Sequence, residues 1–452
     1  MLHSRYSSSG RVQVAHFLEA DMRPWALRLA NCLFPGCVRR ECFFDYFMLR
    51  LPWLKQTFNM IGVERRESES DDVDGAARQQ EAWRCLDELA SLGDTADAVL
   101  RAWRVPLHVQ LPLTPAAWVP AVICSHVDAT GALELHACEA AAHCDAMHAV
   151  RGVQSLTLQP WRSGQAARAR MSEQEVARVC AALSALASVR TLHIHWSSDL
   201  EPLVAPALRL LSNRLTGLGT GSVRDADAGR FATSLALLTA LTRLDLGRSL
   251  LAVDGAKALA PVLSALSPLA DLCLSHNRLS HEGAAALAPS LALLTALTCL
   301  DLSANMIGAD GAAALAPALS RLSALAALKL DTNTLHSAGM EALAPALGLL
   351  TTLTQLDLRL NGILGQGAAA LAPALGRLVR LEKLDVHDNY LCDGVLHLVP
   401  ALARLTALRE LVIAYDNYSS GQAVVALRAG VPASVWEASD FEVWPGCVPS
   451  HR

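Results

Sequence analysis

The sequence lacks the short motifs with which many enzymes bind nucleotides or activate a nucleophile. It has no Gly-x-x-x-x-Gly-Lys-Ser/Thr segment, which argues against a nucleotide-binding receptor. The segment HEGAA at His281 lacks the second histidine of a zinc protease, and nothing resembles a nucleophile elbow. We therefore expect a protein without enzymatic activity, cofactor or small-molecule substrate.

The sequence also lacks an excess of positive charge and any closely paired cysteines. It has 38 Lys and Arg against 43 Asp and Glu, and this net charge of −5 does not indicate nucleic-acid binding. The 12 cysteines are scattered without a Cys-x-x-Cys pair, which does not fit a disulfide framework. In CEAAAHCDAMH, Cys144 and His148 share a helical face, whereas Cys138 and His143 point elsewhere. No metal site is expected, because these ligands cannot converge.

Hydrophobic runs suited to a membrane are missing as well. The stretch from Gly283 to Leu300 carries no charge, but it contains Pro289, and its sister copies carry Arg321 and Lys329. The first apolar stretch, Val12 to Leu18, is too short for a secretory signal. These features favour a cytoplasmic protein with no membrane partner.

What the sequence has in abundance is a leucine repeat. LTCLDLSAN from Leu297 returns as LAALKLDTN from Leu325 and as LTQLDLRLN from Leu353, each 28 residues after the last. Self-similarity at this period is typical of a solenoid. Related segments begin at Leu241, Leu269, Leu381 and Leu408.

Each repeat has two halves with different periods. The last two leucines of Leu-x-x-Leu-x-Leu are two residues apart, so they share one face of a strand. The alanine-rich half has helical spacing, with Leu287, Leu291 and Leu294 near one face. Its central proline predicts either a kinked helix or a short turn followed by a second one. Stacked strand–helix units would form a parallel sheet with helices outside it.

The repeat resembles the leucine-rich repeat family, specifically its ribonuclease-inhibitor-like type, from Leu241 to Asn417. The resemblance implies an α/β horseshoe-shaped solenoid with parallel strands on the concave face and helices on the convex face. It also implies an asparagine ladder that bonds backbone groups where the chain leaves each strand, from which Ser249 departs. The ladder residues are Asn277, Asn305, Asn333, Asn361 and Asn389.

The domain organisation follows from where this pattern is regular. Upstream strand patterns remain at GALELHAC, VQSLTLQPW and VRTLHIHWSSD, but they are irregular. Aromatic residues gather before the repeats, in a region that we expect to be irregular and mostly helical. We assign residues 1–125 to this N-terminal region, with an acidic linker near 64–74; residues 126–420 to the repeats, degenerate over 126–240 and regular over 241–420; and residues 421–452 to a C-terminal cap.

The concave face is the expected binding surface. His193 and His195 lie two apart on a strand beside Trp196, and a second group of large side chains lies toward the far end of the repeats. The position between the last two leucines reads Asp, Cys, Asp, Lys, Asp and Asp in successive repeats, and these side chains should stack into a column on the concave face. The complete predicted set of partner-binding residues is His193, His195, Trp196, Arg243, Asp245, Asp301, Lys329, Asp357, Arg359, Lys383, Asp385, His387 and Tyr415.

We expect a monomeric, non-enzymatic scaffold that binds an unidentified protein. The Ran GTPase-activating proteins use this repeat type, so GTPase activation is an alternative, although they end in an acidic tail and this sequence ends EVWPGCVPSHR. The segment DAVLRAWRVPL, from Asp97 to Leu107, is faintly similar to the end of an F-box, so a ubiquitin-ligase substrate adaptor is another alternative. The Ala-Leu-Ala-Pro wording resembles proteins of flagellated protists, which suggests a cytoskeletal or axonemal location.

Overall fold

The computed structural model describes residues 119–159, 171–195, 200–413, 421–431 and 435. The acidic linker, the F-box-like segment and most of the predicted cap lie outside these ranges, as do Trp196 and Tyr415. The chain divides into two compact units, which separate close to residue 190 and are described individually below.

The first unit contains two parallel strands whose leucines face one another. Leu133 lies opposite Leu156 and Leu135 opposite Leu158, and all four are buried. The segment CEAAAHCDAMH forms two short helices that meet at His143, not the single helix assumed from the sequence. The elements are α1 (Val119–Thr130), β1 (Ala132–His136), α2 (Ala137–Ala142), α3 (Cys144–Ala149), β2 (Ser155–Gln159) and α4 (Glu173–Ala185).

The described part of the second unit repeats one strand and one helix, and its nine strands pair in parallel in chain order. Its strands are β3 (Thr191–Ile194), β4 (Gly217–Gly219), β5 (Arg243–Asp245), β6 (Asp271–Cys273), β7 (Cys299–Asp301), β8 (Ala327–Lys329), β9 (Gln355–Asp357), β10 (Lys383–Asp385) and β11 (Glu410–Val412). Its helices are α5 (Glu201–Leu211), α6 (Ala228–Leu235), α7 (Val253–Leu263), α8 (Ser280–Leu291), α9 (Gly308–Leu319), α10 (His336–Leu347), α11 (Leu364–Leu375), α12 (Val395–Leu402) and α13 (Gly421–Gly430).

The leucine triplets form the core between the sheet and the helices. Leu300 is fully buried and Leu302 is 1% exposed, whereas Asp301 lies on the opposite face of its strand. Leu300 is in register with the equivalent Leu272 and Leu328, so the buried row continues from strand to strand. Each buried leucine stabilises the fold by roughly 1.5–3 kcal/mol. The predicted α/β solenoid and the phase of its strands are confirmed.

The helices run through their prolines as single elements. In α8, Pro289 is the third residue from the C-terminal end, and the helix is continuous from Ser280 to Leu291. Proline lacks one N–H donor, so at this position it removes a single bond from the last turn. The sequence-based expectation of a separate second turn is therefore wrong.

Small residues let neighbouring helices approach closely. A Cβ atom added to Gly311 in α9 would lie 2.7 Å from Ile307 Cγ2 and 3.0 Å from the Cα atom of His281 in α8. Both distances are too short for a relaxed contact. Glycine is therefore required at this point of the repeat.

Candidate functional site: the sheet face

Asparagine side chains support the loops at one end of the strands. Asn333 Nδ2 donates to the carbonyl oxygens of Leu302 at 2.9 Å and of Leu330 at 3.0 Å. Its Oδ1 atom accepts from the backbone N–H of Asn305 at 2.9 Å, so each asparagine links two repeats. Asn361 and Asn389 repeat this arrangement. These buried bonds fix the loops that border the sheet.

The arrangement changes at the N-terminal end of the ladder. Asn305 Oδ1 is buried without a hydrogen-bond partner, whereas Asn277 Oδ1 accepts from Leu251 N at 3.1 Å. Ser249 is buried, and its hydroxyl reaches the carbonyl of Thr220 at 3.4 Å. Near Ser249, an aspartate in place of an asparagine bonds the backbone. Asp225 Oδ1 accepts from the backbone N–H groups of Ala252 at 2.7 Å and Gly255 at 2.6 Å.

We use "sheet face" for the strand surface opposite the helices, and "middle row" for six of its residues. Each member of the middle row is in register with the next, which places neighbours about 4.8 Å apart. This register confirms the predicted column of stacked side chains. The middle row is Asp245, Cys273, Asp301, Lys329, Asp357 and Asp385.

The aspartates of the middle row have a structural task. Asp301 Oδ1 accepts from the backbone N–H of Ser303 at 3.0 Å, and Asp357 Oδ1 accepts from that of Arg359 at 3.2 Å. Asp245 and Asp385 make the same contact with the residue two positions on. This bond holds the end of each strand and occupies one carboxylate oxygen. The other oxygen stays available for a charged group.

The lysines and arginines of the sheet face form ion pairs within it. Sequence reasoning identified these cations but missed their acidic partners Asp271, Asp331 and Glu410. These acids lie two residues before or after the position between the last two leucines of a repeat, and 27 or 28 residues along the chain from the cations that they pair with. This spacing would have located them in the sequence. The pairs are Arg243 with Asp271 at 2.9 Å, Lys329 with Asp301 at 3.5 Å, Lys383 with Glu410 at 2.6 Å, and Arg359 with both Asp331 and Asp357 at 3.5 Å.

Five of these residues form what we call the β8–β10 cluster: Asp331, Asp357, Arg359, Asp385 and His387. Burial raises the pKa of Asp357 to about 6, with smaller contributions from the carboxylates of Asp331 and Asp385, while the backbone bond from Arg359 opposes the rise. Burial lowers the pKa of Arg359, but the surrounding carboxylates outweigh it and the net shift is upward. His387 Nδ1 lies 2.6 Å from Asp385 Oδ1. The cluster therefore concentrates partly buried negative charge.

The cysteines of the sheet face are unsuited to nucleophilic chemistry. Burial raises the pKa of Cys273 to about 11, and its sulfur lies 3.2 Å from Ser275 Oγ. Burial also raises the pKa of Cys299. Both groups stay protonated near neutral pH, and only the thiolate is a good nucleophile.

The other end of the sheet face combines histidine with glycine. His193 is in register with Gly219, and its ring covers the space that a side chain at Gly219 would occupy. The His195 ring similarly covers Gly221. Sequence reasoning placed both histidines on this face but did not foresee that the glycines make room for them. No hydrogen bond or ion pair to either imidazole is found among the described residues.

Apolar side chains protrude from the loops that follow the strands and, at Leu364, from the first residue of α11. Sequence reasoning missed these side chains. They are about half exposed, and their backbone φ lies in the left-handed region that costs a residue with a side chain about 1–2 kcal/mol. Exposed apolar groups on strained backbone are typical of binding surfaces. The residues are Met306 at 55% exposure and φ 55°, Leu360 at 48% and 55°, Leu364 at 47% and 59°, and Tyr390 at 58% and 53°.

The part of the chain that the structure describes offers neither a metal site nor a membrane-spanning helix. Within it, no group of three or more His, Cys, Asp or Glu is placed to hold a metal ion. No helix within it combines the length and apolar character needed to cross a bilayer.

Comparisons with known proteins agree with the repeat. The model of a family described as "Leucine Rich repeat" matches residues 294–316 and 350–372. No curated protein sequence matches the chain. An internalin (inlF) from Listeria monocytogenes str. 4b F2365 is similar in structure, with a TM-score of 0.41 and 17% identity over 66% of this chain and 82% of that one. TLR13 in its complex with ssRNA13 has a TM-score of 0.36 and 16% identity over 62% of this chain and 43% of that one. With TM-scores this low, neither likeness indicates what this chain binds.

Proposed function

The chain is a leucine-rich repeat protein, and on that premise we propose that it is a non-enzymatic scaffold that binds another protein through the concave sheet face and the adjoining loops. The observation that carries the proposal is the difference between the two sides of each repeat. The first residue of the strand differs from one repeat to the next, whereas the helices from α7 to α11 all keep Gly-x-x-Ala-Leu-Ala-Pro. From β5 to β11, these first residues are Arg243, Asp271, Cys299, Ala327, Gln355, Lys383 and Glu410. Individual side chains are what a specific interface requires.

The exposed apolar loop residues extend this surface. Met306, Leu360 and Tyr390 border the sheet face at the end of the strands, so one partner would contact both. Aromatic and arginine residues often dominate binding energy, and Tyr390 and Arg359 supply one of each. We also propose that the protein is a cytoplasmic monomer of the ribonuclease-inhibitor-like type, and that it has a cytoskeletal or axonemal location.

The experiment begins with affinity purification of the full chain from its native cells and identification of the partner by mass spectrometry. Binding is then compared between two charge reversals, Lys329→Glu on the sheet face and Arg321→Glu, which is exposed just beyond the end of α9. We expect Lys329→Glu to weaken binding at least tenfold and Arg321→Glu to leave it unchanged. The reverse result would move the interface to the helical side.

No described residue supports either alternative function. The F-box-like segment lies outside the described residues, and no residue of this chain is assigned to GTPase activation. Co-purification of a Skp1-like protein, or faster GTP hydrolysis by a small GTPase, would reinstate the corresponding alternative.

A further inference from the structure

The charges of the sheet face are unevenly compensated. Arg243, Lys329 and Lys383 each pair with one carboxylate of a neighbouring strand. In the β8–β10 cluster, however, Asp331, Asp357 and Asp385 surround a single guanidinium, that of Arg359. Three carboxylates around one guanidinium give this part of the face an excess of negative charge.

The geometry shows that Arg359 saturates neither of its carboxylates. Its Nε atom lies 3.5 Å from Asp331 Oδ2 and 3.5 Å from Asp357 Oδ2. Charge-assisted hydrogen bonds between nitrogen and a carboxylate are shorter, about 2.7–2.9 Å. Arg359 is therefore shared between two strands without a hydrogen bond from its Nε atom to either carboxylate. Asp331 Oδ2 also accepts from Thr332 Oγ1 at 3.2 Å, but a carboxylate oxygen can accept two bonds, so both carboxylates retain capacity for a further donor.

A second, independent observation lies at the border of the cluster. The Ser303 side chain is only 5% exposed, yet its hydroxyl has no hydrogen-bond partner. Ser303 occupies in its repeat the position that Asp331 and Arg359 occupy in theirs, and Ala304 N donates to the Asp331 carbonyl at 2.9 Å. A buried hydroxyl without a partner is costly, which indicates a missing polar group beside Asp331.

We propose that the β8–β10 cluster and Ser303 receive a basic side chain, arginine or lysine, from the protein partner. The cation would lie over Asp331 and Asp357, donate to their free oxygens, and donate to the Ser303 hydroxyl. Arginine offers five N–H donors in a planar fork and lysine three, so either can serve several acceptors at once. This inference rests on the proposed function and specifies the chemistry of its partner.

The pH dependence has a defined direction. The groups around Asp357 are Asp331 and Lys329, its register partner, on one side, Asp385 and His387 on the other, and Arg359 two residues further along its own segment. Because the pKa of Asp357 is about 6, a bound cation stabilises its ionised form, and binding strengthens as the pH rises from 5.0 to 7.5.

The test uses the full chain and three capped peptides that differ at one pair of positions: acetyl-Gly-Ser-Arg-Gly-Arg-Ser-amide and its Gln and Glu counterparts. Asp357→Asn removes the charge but keeps an oxygen for the Arg359 N–H. Asp245→Asn is the matched control, because Asp245 holds the same position in its repeat and makes the same backbone contact outside the cluster. Melting temperatures confirm that both variants are folded.

We expect only the arginine peptide to bind. Its affinity should fall at least fivefold in Asp357→Asn, less than twofold in Asp245→Asn, and at least threefold between pH 7.5 and pH 5.0. The pH effect should disappear in Asp357→Asn. Absence of binding, equal binding of the Glu peptide, or equal effects of the two variants would overturn the inference. If the native partner is lost in Lys329→Glu but retained in Asp357→Asn, the scaffold function stands and this inference fails.

Discussion

The repeats from β6 to β10 and those of β4 and β5 use the same plan with different supports. In the former, each asparagine from Asn277 to Asn389 bonds backbone groups of two repeats, as Asn333 does at 2.9 and 3.0 Å. In the latter, Ser249 stands where the asparagine would be after β5, and Asp225 bonds the start of α7. The backbone groups at the turn must be satisfied in both regions, but the side chain that satisfies them can change.

The sheet face differs between the same two regions. Gly219 on β4 and Gly221 just after it leave space that the rings of His193 and His195 fill, whereas β8 to β10 carry a network of charges. Both surfaces rest on the same buried leucines, so the face can vary without disturbing the core. This independence is what makes a solenoid suitable as a binding scaffold.

The largest expected effect comes from a substitution in the repeats that the asparagine ladder supports. Asn333→Ala leaves the backbone N–H of Asn305 without its partner and removes one of two amide donors from each of the carbonyls of Leu302 and Leu330, which keep their bonds from Asn305 and Asn361. The loss of these buried bonds should lower the free energy of unfolding by about 3 kcal/mol. Ser249→Ala loses a single 3.4 Å bond and should cost less than about 1 kcal/mol. Urea unfolding of the two variants measures the difference. Equal losses would show that the ladder is not what distinguishes the regions.

A second prediction compares glycines on helices of the two regions. Gly311→Ala places a Cβ 3.0 Å from the backbone of α8 and should destabilise the fold by about 2 kcal/mol. Gly229 in α6 is exposed, with nothing within 4 Å of an added Cβ, so Gly229→Ala should stabilise by about 0.5–1 kcal/mol. Opposite shifts in melting temperature are expected. Destabilisation by both would mean that close helix packing extends through α6.

The smallest effect concerns the charge network. The pKa of Asp357 in the folded chain, about 6, lies above its ordinary value of 3.8, so its contribution to stability is complete below pH 4 and is lost as the pH rises through 6. Asp357→Asn should therefore be more stable than the parent at pH 7.5, by roughly 1 kcal/mol after allowance for solvent screening, and equal at pH 4. Urea unfolding of the parent and of Asp357→Asn at pH 4 and at pH 7.5 measures the difference. A parent that is the more stable of the two at pH 7.5 would contradict the burial of Asp357.

The leucine and asparagine spacing by itself determined the order of strands and helices, the burial of Leu300 and Leu302, and the side of the sheet on which Asp301 lies. It could do so because a period of two fixes which side chains share a face, whatever lies nearby. Other features depend on residues about 28 positions away that touch only after the repeats stack. The sharing of Arg359 between Asp331 and Asp357, the unpaired oxygen of Asn305 and the continuity of α8 through Pro289 are of this kind. The tertiary structure alone decided them, because distance and burial between neighbouring repeats set the strength of a hydrogen bond or an ion pair.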